Sequence, residues 1–240
     1  MHVLLLRLDA PMMSFGDVAV DYRRPVAAHP AQAMVTGLIG NALGYCRHET
    51  ALLARLQDRL CLASRVDRAG MQFRDYQTVD LGTWWMVGTK QGVGWTTRGA
   101  VEERGGGAGA KTGTHIRLRD FWADRIATLA VTLDPPDETP TIVEVEQAFK
   151  EPARPLFVGR KSCLPASPFL LELREAPSLL AALQEVPRAS RADQGPLLAC
   201  WPAEESDQWE AAWDLRDWPN QIHAGSRRVA TGQVDPPEAP

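Results

Sequence analysis

Four side chains of this chain could between them cleave RNA without a metal: His29, Tyr76, Lys111 and His115. That chemistry needs a base for the 2′-hydroxyl, an acid for the leaving oxygen and a cation for the charged phosphorane, and His, Tyr and Lys supply those types. Their spacing brings none of them together, so loop or core roles stay open for each. A second candidate, the stretch GGGAGAKTGTH from Gly105 to His115, looks at first like a nucleotide-binding loop. The phosphate-cradling pattern needs Gly-Lys-Ser/Thr after four residues, but Ala110 precedes Lys111, so the spacing fails. The stretch also leads into HIRLRDF, whose alternation predicts a strand where a phosphate loop needs a helix. Glycines between two extended arms predict the tip of a long hairpin, the alternative being an unstructured surface loop.

The third candidate is RPLFVGRKSCLP, Arg154 to Pro165. Gly159 permits close approach or a positive φ angle, and Arg160, Lys161 and Ser162 then offer a planar fork, a point charge and a hydroxyl in succession. That set suits a nucleic-acid backbone; the alternative is a turn carrying ordinary surface cations. The carboxylates show no metal-binding spacing, and no Ser-His-Asp pattern stands out. The four cysteines are scattered without zinc-ligand spacing and read as reduced thiols of a cytoplasmic protein.

Charge refines the choice of partner. The net charge is -4, but residues 1–133 hold 16 Lys/Arg against 12 Asp/Glu, whereas residues 134–240 hold 10 against 18. Cations gather at Arg23-Arg24, along Arg98 to Arg119, at Arg160-Lys161 and at Arg227-Arg228, and phosphate binding depends on such local clusters. The N-terminal apolar run is too short for a secretory signal, and no stretch is long enough to span a membrane.

The elements that must position these residues follow from periodicity. Val3 to Leu8 predicts a strand buried on both faces. Pro30 precedes a helix marked by Met34, Leu38, Ile39 and Leu43 and capped by Gly44. Close approach of another backbone would explain Gly37 and Gly40 within it. Glu49 to Leu60 predicts a second amphipathic helix. CLASRV, MQFRDYQTV, HIRLRDF and Ile126 to Leu133 predict strands, Pro140 to Lys150 a helix, and LFV and Phe169 to Leu173 strands. The order βαβ, long excursion, βαβ predicts an α+β, ferredoxin-like fold related to RNA-recognition folds, although the aromatic signature of base stacking on an open sheet is absent. Beyond residue 175 come a helix at Leu179 to Val186, a strand at Leu197 to Trp201, and EESDQWEAAWDLRDW, whose Trp209, Trp213 and Trp218 recur at helical spacing. That segment predicts a packed surface helix or a docking element, and the Pro-rich VDPPEAP a disordered tail.

The segments LLRLDAPMMSFG, RRPVAAHPAQAMVTGLIGNALGY, RDYQTVD, KTGTHIRLRDFW and LFVGRKSCLP stand here in the order they take in a known family. The chain resembles the type I-E branch of Cas protein family five, within the RAMP superfamily of CRISPR RNA-binding proteins. The resemblance covers most of residues 3–170, is most specific at Gly37 to Gly44 and Phe157 to Pro165, and is loose over the last seventy residues.

The resemblance implies a ferredoxin-like palm (1–79 and 115–175), a thumb hairpin (80–114), a small C-terminal β-rich extension (176–232) and a tail (233–240). It also implies a non-catalytic subunit of the Cascade surveillance complex that caps the 5′ repeat-derived handle of the CRISPR RNA. The implied partners are a CasC-like backbone subunit, a CasA-like large subunit and target DNA near the heteroduplex end next to the protospacer-adjacent motif, with no cofactor and no membrane. Carried onto this chain, the RNA-binding positions are Arg24, Arg74, Tyr76, Lys111, Arg119, Gly159, Arg160, Lys161 and Ser162. The type I-C branch of the same family implies a competing role, metal-independent endoribonuclease, to which His29, Tyr76, Lys111 and His115 would belong.

Overall fold

The computed structural model describes residues 1–19, 22–80, 93–95, 101–103, 114–205 and 208–239, with backbone alone at 78–80, 93–95, 101–103, 114–115 and 205. Two compact units emerge. Unit 1 comprises Met1–Val18, Pro25–Phe73 and Phe121–Pro240, and unit 2 comprises Ala19–Arg24 and Arg74–Asp120.

Unit 1 is built on a seven-stranded antiparallel sheet. Its first strand, β1 (His2–Asp9), neighbours two partners that come much later in the chain, β9 (Ile126–Leu133) and β10 (Leu170–Glu175). Beyond β9 lie β4 (Leu60–Arg68), β11 (Leu197–Pro202), β15 (Arg227–Val234) and the edge strand β12 (Glu210–Ala212). The unbroken apolar run of β1 follows from burial on both faces. Leu4, Leu6 and Leu8 enter one core with Val35, Leu38, Ile39, Leu56, Val145 and Phe149, while Val3 and Leu5 enter a second with Leu179, Ala182 and Leu183. Each such leucine contributes about 1.5–3 kcal/mol on burial.

The first core is covered by α1 (Gln32–Leu43), α2 (Thr50–Arg59) and α3 (Ile142–Lys150), the second by α4 (Leu179–Glu185). Gly44 ends α1 in the left-handed conformation at φ 87°, as its position predicts. At the other end the cap comes from far away: Asp214 accepts from the Gln32 and Ala33 N–H groups through its carboxylate and carbonyl, both at 3.0 Å. Thr141 and Glu144 form a capping box on α3. Gly40 accommodates the Leu53 side chain of α2, the close approach its presence suggested, although the neighbour is a side chain and not a backbone.

A buried ion pair ties α4 to the sheet. Arg65 Nη2 donates to Asp67 Oδ1 at 2.7 Å, and both side chains are fully inaccessible. The Arg65 guanidinium also donates to the Leu183, Val186 and Pro187 carbonyls, satisfying the C-terminal end of α4. Asp67 takes further hydrogen bonds from Thr128 and the Ala189 N–H, so neither charge lacks compensation.

Three expectations are corrected. LFV is not a strand: Val158 is buried and exchanges backbone hydrogen bonds with Ser14 and Cys163, so the apolar run fills the core from a turn. The Trp-containing segment is not a helix. Glu210 to Ala212 pair with Arg227 to Val229 as β12, β13 (Arg216–Asp217) pairs with β14 (Ile222–His223), and of the three tryptophans only Trp218 is buried. The tail is held as far as Glu238. Gln233 and Val234 complete β15, and buried Arg188 hydrogen-bonds Asp235 and the Pro236 carbonyl, while its own N–H donates to the Pro237 carbonyl.

In unit 2, β3 (Arg23–Arg24) runs parallel to β8 (Thr114–Ala123), pairing Arg23 with Leu118 and Arg24 with Arg119. The long strand β5 (Met71–Asp80) also pairs with β8. The short strands β6 (Val93–Trp95) and β7 (Val101–Glu103) pair with each other. Within unit 1, the last residues of β8 pair with β2 (Met12–Met13).

Candidate nucleic-acid interface

The Val158–Cys163 turn of unit 1 brings four of the expected residues together, Gly159, Arg160, Lys161 and Ser162. Val158 and Cys163 are both fully buried and bracket it, with the Val158 N–H donating to the Cys163 carbonyl at 2.8 Å. Gly159 takes φ +83°, and a Cβ there would lie 1.8 Å from the Ser14 carbonyl oxygen. Only glycine fits, which explains the residue the sequence singled out. The Arg160 N–H donates to the Val158 carbonyl at 3.2 Å, and the Arg160 carbonyl accepts from the Cys163 N–H at 2.8 Å. Lys161 and Ser162 are exposed at the apex. Burial pushes the Cys163 thiol up, so it takes no part as a thiolate.

Arg160 is half-buried, with its Cζ 4.4 Å over the ring of Phe121. Phe121 in turn stacks on Phe73, centroids 5.5 Å apart and planes 17° from parallel. Neither phenylalanine is among the binding residues expected from the sequence, where Phe73 counts only as an apolar position of an alternating strand. The alternation of β5 and β8 places them on strands, but the pairing between segments 48 positions apart has no local signal.

In unit 2 the focus is Asp120, whose side chain is 2 % exposed. Its carboxylate accepts from Arg74 Nε at 2.7 Å and Nη2 at 3.3 Å, and from Arg23 Nε and Nη2 at 3.3 and 3.1 Å. The hydrogen bonds from Arg74, then those from Arg23, hold the Asp120 carboxyl below its ordinary value against its burial. Arg74 is thus engaged by a carboxylate that the sequence did not single out. Arg24 is exposed and in register with half-buried Arg119, while Arg117 shares with Arg119 the side of β8 opposite Asp120. Tyr76 is exposed.

The four residues of the cleavage hypothesis fare differently. His29, in unit 1, has Nδ1 3.0 Å from Ser64 Oγ. Burial, then Arg125 and Arg227, lower its pKa to about 4. Tyr76 lies in unit 2. Lys111 and the side chain of His115 fall outside the described residues, as does the Gly-rich stretch up to Gly113. Thr114 opens a strand and not a helix, in line with the argument against a nucleotide loop. Among the described residues, no cluster of His, Cys, Asp and Glu could hold a metal ion, and no helix is long and apolar enough to cross a membrane.

An antiparallel α+β unit with a glycine-locked cationic turn defines a class, and comparison with known proteins names the family. Residues 3–230 match the family described as CRISPR-associated protein (Cas_Cas5), and the chain belongs to that family. It is 29% identical over 169 residues, 70% of this chain and 69% of the relative, to the CRISPR system Cascade subunit CasD of Escherichia coli (strain K12). Among solved structures it is similar to a chain of a CRISPR RNA-guided surveillance complex, with TM-score 0.72, 22% identity, and 98% and 91% of the two chains covered. It is also similar to a structure described as that of a Cas protein, with TM-score 0.66, 24% identity and 99% of each chain covered. The mixed α+β fold with mainly antiparallel sheets is therefore that of Cas5 structures.

Proposed function

We propose that this chain is a non-catalytic subunit of a type I-E Cascade surveillance complex that binds and caps the 5′ repeat-derived handle of the CRISPR RNA. The observation that carries the proposal is the glycine-locked turn, which displays Arg160, Lys161 and Ser162 in a chain of the Cas5 family. Its relative from E. coli is named a Cascade subunit, which supports the same assembly here. Guide pairing reads sequence in such complexes, so a protein of this role needs phosphate contacts and not a base code. CasC-like and CasA-like subunits and the target DNA are the partners of this reading, in the cytoplasm.

The strand order β10-β1-β9-β4, with helices between β1 and β4 and between β9 and β10, supports a ferredoxin-like palm. The long strands β5 and β8 of unit 2 support a thumb over 80–114, in which the Gly-rich stretch bearing Lys111 would be the tip, with Arg24 and Arg119 in register as phosphate contacts and Tyr76 exposed on β5. The endoribonuclease alternative gains little from His29, which at a pKa of about 4 is a weak base near neutrality.

The test is to isolate the protein from its native host and sequence the RNA that accompanies it. RNAs sharing a repeat-derived 5′ tag are expected; RNAs without one overturn the assignment. Purified protein should also leave repeat RNA uncut, whereas cleavage abolished by substituting Tyr76, Lys111 or His115 would establish the nuclease role instead.

A further inference from the structure

Arg160 is pinned twice. Its backbone is fixed on both sides, by the Arg160 N–H to the Val158 carbonyl and by the Cys163 N–H to its own carbonyl. Its guanidinium lies over Phe121, a ring only 2 % exposed and stacked on the more accessible Phe73. All three side chains belong to unit 1. An arginine on a surface turn ordinarily samples many rotamers, and a ring beneath it removes part of that freedom before a ligand arrives. An arginine so held presents its planar fork in one orientation, and paired phosphate oxygens are the acceptors that fork fits.

We infer that Phe121 is a positioning residue for RNA binding, orienting the Arg160 guanidinium toward a backbone phosphate of the handle. The inference rests on the proposed handle-binding function. Phe121 touches no RNA itself; it acts through Arg160, and Phe73 steadies the ring. Arg160 then supplies more than a positive charge, and lysine cannot replace it.

The test uses the full chain and a fluorescein-labelled synthetic RNA of the host's repeat-derived 5′ handle, titrated at several salt concentrations. Arg160→Ala weakens binding and makes the salt dependence shallower, because one phosphate contact is lost. Phe121→Leu weakens binding about three- to tenfold with the salt dependence unchanged, since no charge is removed. Arg160→Lys behaves like Phe121→Leu. In the Arg160→Ala background, Phe121→Leu has no further effect.

Thermal melts accompany each titration. Should Phe121→Leu fail to fold, Phe73→Leu takes its place and shows a smaller loss that also vanishes without Arg160. Unchanged binding by Phe121→Leu, or a loss that persists in the Arg160→Ala background, overturns the inference. Failure of the unmodified chain to bind the handle overturns the handle-binding function itself and the inference with it, whereas handle binding indifferent to Arg160→Ala overturns the inference alone.

Discussion

The Ser14 carbonyl oxygen occupies the place that a side chain on Gly159 would need, 1.8 Å from the ideal Cβ position. Ser14 is equally committed, since its N–H donates to the Val158 carbonyl at 3.1 Å. The cationic turn is therefore moulded against the backbone that follows β1, and the clash adds to the ordinary cost of a left-handed conformation, about 1–2 kcal/mol for a non-glycine residue. Gly159→Ala is expected to destabilise the protein by more than that and to weaken RNA binding together with it. Denaturant melts and RNA titrations on the same preparations check this; a variant with wild-type stability contradicts the account of the turn.

Asp120 engages two of the local cations, Arg74 and Arg23. Asp120→Ala should release Arg74 and Arg23, costing about 1–3 kcal/mol, moderated because both arginines are half-exposed. It should also tighten non-specific binding of RNA, because two neutralised charges become available. Because its folded pKa is depressed, Asp120 contributes stability that is present above its unfolded value and lost as pH falls through the folded one. Acid melts of wild type and Asp120→Asn should therefore converge in strongly acidic solution.

The legibility of the molecule divides along the same line between local and distant. Val3 to Leu8, Gly44 and the Ile126 to Leu133 strand were readable because each carries its own signal: a continuous run, a left-handed cap, a block of β-formers. The glycine of the turn was readable for the same reason. What no local pattern carries is the Asp120 carboxylate between Arg23 and Arg74, the Arg160–Phe121–Phe73 stack, or the Asp214 cap of α1, 182 positions from Gln32. Tertiary pairing also overrode period. The tryptophans at 209, 213 and 218 mimic a helix, yet β15 draws Glu210 to Ala212 into an edge strand.

The buried pair Arg65–Asp67 should show the asymmetry of low-dielectric charges. Asp67→Ala leaves a guanidinium buried without its carboxylate and is expected to cost about 3–5 kcal/mol. The double replacement Arg65→Met with Asp67→Leu should cost much less than two such losses. A double variant that costs as much as two such losses added together, read from chemical denaturation, would contradict the described compensation.

His29 predicts a second pH dependence, in milder acid. Its pKa falls from 6.5 to about 4 on folding, so the unfolded chain binds more protons in that interval. Stability should be full above about pH 6.5 and decline toward pH 4, by about 1–3 kcal/mol from this group. His29→Asn should flatten that part of the profile. An unaltered slope would mean that the histidine is not held neutral.

The central claim is that the turn bearing Arg160, Lys161 and Ser162 meets the 5′ end of the guide. The most direct measurement is photo-crosslinking: 4-thiouridine is placed in the handle of the CRISPR RNA, the RNA is assembled with the native complex, and the crosslinked peptides are identified by mass spectrometry. The account predicts crosslinks from the handle to the segment Phe157 to Pro165, lost when Arg160 and Lys161 are both replaced by Glu. Handle crosslinks that reach this chain only elsewhere, or that fall wholly on other subunits, would contradict it.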